Sequence, residues 1–217
     1  MEGPATGGVP FPDAGDLSTN FEQVVSAENA DATGIETEFL WVPTDQLTFS
    51  GSLGYLDTEI TSPTTAQLTG GINVDLLGLQ VPKSPELSAS LAGEYRWPMM
   101  TGEAWLRLEY IHRDGQYSDI EALTWEQHHA TPGGTVTQGG GVIPNTGSFP
   151  YKTPDYDLLN LRAGFDWDQW AFSFYIQNLT DEEYYTGTQE NFGISGIRLK
   201  PHPRFFGGSV SYSFGGI

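Results

Sequence analysis

The residues of this chain best suited to chemistry are its carboxylates and imidazoles. It contains no Cys, which removes thiol nucleophiles, thiolate zinc ligands and disulfides together. Its four His residues stand at positions 112, 128, 129 and 202. Only His128 and His129, beside Glu126, are close enough in sequence to suggest contact with a metal ion or a metal chelate. Adjacent side chains of an extended backbone point in different directions, so a solvated loop explains that pair more simply. Serine chemistry fares no better: there is no Gly-x-Ser-x-Gly elbow, no His has a strand-turn-helix context, and no enzyme is expected. Gly133-Gly134 and Gly139-Gly140-Gly141 fit a loose search for a phosphate loop, but neither run leads into Lys-Ser/Thr or an evident helix. They read as flexible loop, and no cofactor is called for. Asn178-Leu179-Thr180 has the form of a glycosylation acceptor, for which an Asx-type turn is the plainer reading. Six further charged residues, Glu94, Arg96, Arg107, Glu109, Arg162 and Asp166, alternate with apolar neighbours. Such residues either touch a ligand or, more commonly, pair across neighbouring strands.

Those residues must be held by β-structure. In Leu47–Tyr55 one face is Leu47, Phe49, Gly51, Leu53 and Tyr55, while the other is Thr48, Ser50, Ser52 and Gly54. The same alternation runs through Leu87–Trp97, Glu103–Arg113, Leu159–Trp167, Trp170–Ile176 and Arg204–Phe214, with Trp105 as an exception on the polar side. An earlier stretch, Phe21–Val42, sets Ile35, Thr37, Phe39 and Trp41 against Glu36 and Glu38, and a bend is expected near Asn29. Seven strands result, or eight if Phe21–Asn29 is a strand of its own.

Composition narrows the setting of this sheet. The 217 residues include 27 Gly and 14 Pro, and 9 Lys and Arg face 28 Asp and Glu, for a formal charge of −19 that would repel nucleic acid. The acids gather in loops, as at Asp119, Glu121, Glu126 and Asp181-Glu182-Glu183, where a solvated exterior accounts for them. No uncharged run approaches the roughly 20 apolar residues that a spanning helix needs. The amino-terminal residues lack the basic start and apolar stretch of a secretory signal, so the chain is expected to be cytoplasmic or a piece of something longer.

A soluble sandwich or lipocalin-like barrel would also show alternation. Three features favour an antiparallel transmembrane β-barrel instead. The strands run for about 9 to 12 residues, as a tilted membrane-spanning strand requires. Aromatics at Trp41, Tyr55, Tyr95, Trp97, Tyr110, Trp167, Trp170, Tyr212 and Phe214 fall near strand ends on the apolar face, where rings with a polar edge suit the membrane interface. Connections alternate between short (43–46, 98–101, 166–169) and long (58–85, 114–154, 179–202), matching the short periplasmic turns and long extracellular loops of outer-membrane barrels. A sheet edge cannot be left in lipid, and single-chain barrels usually have an even strand number, so these strands are expected to be part of a larger barrel.

Several segments resemble the final strands of TonB-dependent receptors. Asn29–Phe39 is similar to a recurrent strand of that family, in which a Gly and a Glu follow an Asn-Ala stretch, and Leu47–Tyr55 is similar to the next. Val81–Leu87, with Pro82 and Pro85 three apart, resembles the family's entry into a strand, and Leu159–Phe165 with Trp170–Tyr185 resembles a strand pair closed by an Asn-Leu turn, an acidic stretch and Tyr. Pro203–Phe214 resembles the last strand, although Gly215-Gly216-Ile217 continues past the customary aromatic. Nothing resembles the plug, the TonB-contacting segment or the earlier strands.

The resemblance implies that residues 21–217 are the carboxy-terminal part of such a barrel, with 1–20 a loop remnant. It implies a Gram-negative outer-membrane location and contact with outer-membrane lipid and the barrel-assembly machinery. It also implies energy-coupled import of a scarce nutrient, most commonly a ferric siderophore, through a TonB system acting on a plug that this segment lacks. On that reading Glu94, Arg96, Arg107, Glu109, Arg162, His128 and His129 are the candidates for lumen or substrate contact. A small self-closed outer-membrane barrel with a structural or adhesion role is the alternative.

Overall fold

The computed structural model describes residues 28–68, 72–118, 136–138, 141–143, 152–191 and 194–214. Within them the chain is all β, and one antiparallel sheet of seven strands dominates, each strand hydrogen-bonded to the next in sequence. These strands are β1 (Ala30–Thr44), β2 (Leu47–Ile60), β3 (Leu87–Met99), β4 (Gly102–Arg113), β5 (Tyr156–Trp167), β6 (Trp170–Gln177) and β7 (Phe205–Tyr212). All seven strands read from alternation are present. The expected extra strand at 21–29 lies outside the described residues, apart from Glu28 and Asn29.

The meander arises because the turns at one end are too short for anything but a hairpin. Asp45-Gln46, Met100-Thr101 and Asp168-Gln169 close β1–β2, β3–β4 and β5–β6. Met100 (φ 54°) and Asp168 (φ 50°) take the left-handed backbone that tight reversal demands. Pro43 has no N–H to give a ladder, and β1 shifts register between Trp41 and Thr44 to accommodate it. The other connections, 61–86, 114–155 and 178–204, are long and all leave the opposite end of the sheet. Four short two-stranded pairings lie within them, Thr65–Leu68 with Ile72–Asp75 and Gly187–Asn191 with Ile194–Leu199 among them.

The sheet has no ordinary hydrophobic core. Ile35, Leu40, Phe206 and Val210 are each more than 60% exposed, and Ile60, Leu76, Leu79, Ala92 and Ala104 are the buried apolar residues among those described. Ile60, Leu76 and Leu79 cluster where connection 61–86 folds back on the projecting end of β2. There Ile60 N–H donates to the Leu79 carbonyl at 2.8 Å, Gly78 N–H donates to the Ile60 carbonyl at 2.8 Å, and the buried hydroxyls of Thr58 and Ser84 meet at 2.9 Å. Thr58 and Ile60 share the parity of Ser50 and Ser52, so this connection packs against the polar side of the sheet. The outward edges of β1 and β7 have no strand partner among the described residues.

Candidate functional site

Each face of the sheet is a continuous surface, and register decides what lies beside what. On the apolar face Leu47, Tyr95, Leu106, Ala163 and Phe174 stand in one cross-strand row, and Phe49, Gly93, Leu108, Leu161, Ile176 and Phe206 in the next. Toward the short turns the rings gather. Trp41 stacks on Phe49 with centroids 5.5 Å apart, Tyr95 on Trp97 at 5.7 Å, and Trp170 meets Tyr212 at 4.7 Å, which in turn meets Phe214 at 4.6 Å. Trp167 is the direct cross-strand partner of Trp170.

Toward the long connections the same face turns polar at an abrupt level. Beyond Tyr55 come Asp57 and Glu59, beyond Tyr110 comes His112, beyond Leu159 comes Asp157, and beyond Phe206 comes Arg204. Between the two limits, β2 (47–55), β5 (159–167) and the β7 segment (206–214) each span nine residues, with alternate ones of apolar parity. Eight steps of about 3.3 Å, inclined at about 40°, give a band on the order of 20 Å tall, close to the apolar belt of a transmembrane barrel. At the upper limit Tyr110 Oη donates to Asp157 Oδ1 at 2.6 Å, His112 Nδ1 lies 2.8 Å from the same oxygen, and His112 Nε2 lies 3.1 Å from Asp114 Oδ1.

The polar face carries the six charged residues singled out above, and it brings five of them into one network. Arg96 Nε donates to Glu94 at 2.7 Å and Arg96 Nη1 to Glu103 at 2.8 Å, with Asp166 at 3.9 Å. Arg107 is held more loosely, 4.0 Å from Glu94 and 3.8 Å from Glu109. Such half-exposed pairs each contribute no more than about 1 kcal/mol. Trp105 belongs to this face because its ring lies across Gly164, where a Cβ would collide with it, and Arg96 sits 5.9 Å from its centroid. Gly207 makes the same room for Tyr175. Arg162, the sixth, has no ion pair among the described residues.

The two faces, one greasy over a bilayer-sized height and one wet and charged, are those of a membrane barrel wall. The sequence profile of the "TonB dependent receptor-like, beta-barrel" family matches residues 4–179. The chain belongs to that family. It is a family of receptors rather than enzymes, residing in the outer membrane of Gram-negative bacteria. Three solved structures share the fold. The ferric yersiniabactin uptake receptor FyuA from Yersinia pestis superposes with a TM-score of 0.61 at 20% identity, over 85% of this chain and 24% of its own. The siderophore receptor PiuA from Acinetobacter baumannii gives 0.56 at 18% identity, over 83% and 21%. BauA, the ferric preacinetobactin receptor from Acinetobacter baumannii, gives 0.54 at 19% identity, over 84% and 22%. The chain therefore spans about a quarter of the length of these receptors.

In this TonB-dependent receptor barrel the polar face is the inner one, since the outer must meet hydrocarbon. At its long-loop end Arg113 stands directly opposite Tyr156 and Ser88. The Tyr156 ring meets Tyr184 at 4.7 Å, and Lys152 Nζ lies 5.3 Å from the Tyr117 ring. Arg113 Nε is buried without a hydrogen-bond partner among the described residues. Burial beside Tyr156 also raises the Tyr184 phenol above its ordinary pKa, first through desolvation and then through the neighbouring phenol. Sequence reasoning passed over this rim. Arg113 and Tyr156 do carry inner-face parity at strand ends, but Tyr184 reaches them only through the fold of 178–204. His128 and His129 lie outside the described residues. Among those described no group of His and carboxylates is arranged to hold a metal ion. A turn stands where an Asx turn was expected, but its side-chain bonds reach four residues on and not two: Asn178 (φ 53°) is buried, its Oδ1 accepts from Glu182 N–H at 2.8 Å, its Nδ2 donates to the Glu182 carbonyl at 2.9 Å, and Asp181 N–H donates to the Asn178 carbonyl at 2.9 Å.

Proposed function

We propose that these seven strands are part of the wall of a receptor that imports a ferric siderophore or a similar iron chelate, driven by TonB through a plug carried in the remainder of the polypeptide. The observation that carries this reading is the pairing of the two faces. A band of nine residues per strand suits hydrocarbon, while the opposite face is charged along its height and ends at the rim in Arg113, Tyr156 and Tyr184. Ferric chelates are commonly anionic and carry planar donor groups, which a guanidinium with two phenol rings can receive. The family match supports the receptor and its energy source, and the three structural relatives, each described as a siderophore or ferric-siderophore receptor, support iron chelates as the cargo class.

On this reading Trp41, Tyr95, Trp97, Trp167, Trp170, Tyr212 and Phe214 lie at the periplasmic lipid boundary, and Tyr55 and Tyr110 at the outer one. Outer-membrane lipid and the barrel-assembly machinery are the corresponding partners. The test is iron uptake by the whole receptor. Cells carrying it as their sole iron receptor should accumulate radioactive iron from at least one of a panel of hydroxamate, catecholate and carboxylate chelates, and lose that uptake when TonB is deleted. Correct assembly in the outer membrane with no uptake from any chelate would sink the proposal.

A further inference from the structure

At the loop end of the apolar face one imidazole stands between two carboxylates. His112 of β4 lies 2.8 Å through Nδ1 from Asp157 Oδ1 on β5, and 3.1 Å through Nε2 from Asp114 Oδ1. Asp157 Oδ1 also accepts from Tyr110 Oη, while Asp114 Oδ2 accepts at 3.0 Å from the backbone N–H of Leu87, the first residue of β3. One ring therefore joins β5 to β3 across β4, at the last rungs before connection 114–155.

An ionised carboxylate can only accept, so both ring nitrogens must donate, and only the imidazolium carries a proton on each. The strands on either side bring no other cation to it among the described residues. Ala89 of β3 stands directly opposite His112, with Leu87 and Leu91 on the diagonals. On β5 Asp157 is directly opposite, Leu159 is diagonal, and Asp155 follows two positions outward. The neighbouring Arg113 has the parity of the other face. His112 is two residues beyond Tyr110, outside the apolar band. Its bond to Asp157, opposed by burial and joined by the bond to Asp114, holds its pKa above the ordinary value.

Removal of one proton leaves a lone pair facing an anion. Nε2 is the atom that loses it, because its contact is the longer one and Asp157 is also held by Tyr110. The Asp114 carboxylate then turns from the ring, and its second oxygen leaves the Leu87 N–H.

We infer that His112 is a proton-operated latch: charged, it fastens the outer ends of β3, β4 and β5 into one rim, and neutral, it releases Asp114 and the foot of connection 114–155. The latch is complete below the pH at which a free imidazole titrates, and it is lost as pH rises through the higher value of the folded rim. Arg113 and Tyr156 form the adjoining rung on the inner face. Chelate capture therefore weakens as the latch opens; that consequence rests on the reading just given, whereas the latch itself does not.

The experiment uses the whole receptor in lipid nanodiscs. Amide hydrogen exchange is followed from pH 6 to pH 9, with each rate divided by the intrinsic rate at that pH. Protection at Leu87 and Asp114 should fall about fivefold, with a midpoint above the ~6.5 of a free imidazole, while Leu108 in the middle of β4 stays constant. His112→Gln, which has no titrating proton, should abolish the step and leave protection low throughout. In the wild-type receptor the ring nitrogen-15 shifts of His112 should titrate with the same midpoint, a readout that needs no variant. Constant protection at Leu87, a step that survives in His112→Gln, or a His112 midpoint below that of free imidazole would each overturn the latch. Binding of ferric chelate by cells lacking TonB should weaken across the same step in the wild type alone, and binding that ignores the step would overturn the coupling to capture. Failure of the transport reading looks different: the exchange step is present in a receptor that takes up no chelate at any pH.

Discussion

The side-chain oxygen of Asn160 accepts a hydrogen bond from the backbone N–H of Asn178 at 3.0 Å, joining the inner face of β5 to the first residue after β6. Asn160 in turn donates to Glu109 on β4, and Asn178 ties down Glu182 with two bonds, so one polar chain runs from β4 into connection 178–204. Asn178→Ala should therefore destabilise the barrel by roughly 3 to 4 kcal/mol, combining about 1 to 2 for a left-handed non-Gly residue with about 1 for each of the two side-chain bonds lost. Asn178→Gly keeps the backbone and loses only the bonds, and should cost about half as much. Urea unfolding in lipid vesicles gives both values. Equal costs for the two variants would show that the left-handed backbone contributes nothing.

Gly164 is small because the Trp105 ring occupies the place of its side chain. Gly164→Val should cost about 1 to 3 kcal/mol by overpacking and shift Trp105 emission as the ring is pushed toward water. In Trp105→Ala the same Gly164→Val change should cost much less, because the collision partner is gone. A cycle that is strictly additive would contradict the contact.

Val210 lies at the centre of the nine-residue apolar segment of β7, whereas Thr33 lies past the polar limit of the same face on β1. Val210→Arg should destabilise by about 2 to 4 kcal/mol and Thr33→Arg by about 0 to 1, the depth profile expected of a lipid-facing surface. Unfolding in bilayers of defined thickness measures both. Equal tolerance at the two depths would mean that the apolar face does not meet hydrocarbon.

Removal of residues 203 to 217 takes away β7 and exposes the full edge of β6, eight ladder residues from Trp170 to Gln177. Unsatisfied backbone groups cannot be left in lipid, so heat-modifiable migration and membrane insertion should be lost. Phe214→Ala removes one ring of the turn-end cluster and should slow insertion. Normal assembly of the truncated chain would show that β7 is not a barrel strand.

Alternation with period two is a local property, and so strand identity, the division into a greasy and a polar face and the alternation of short turns with long connections were all legible in the order of the residues. That a turn closes at Asn178 was legible for the same reason, because its bonds reach only four residues, although they run to Glu182 and not two residues on as in an Asx turn. Strand limits were less so. β2 runs on to Ile60 because it stays paired with β1 as far as Ala30, and connection 61–86 returns to cover Thr58 and Ile60. Trp105 broke the polar pattern and found its reason only across the sheet, at Gly164, 59 positions on. Likewise each charge was visible in sequence, but register alone decided that Arg96 gathers three acids while Arg162 faces another arginine. Pairing across strands joins residues dozens of positions apart through loops of arbitrary length, and only the folded sheet sets which row a side chain joins.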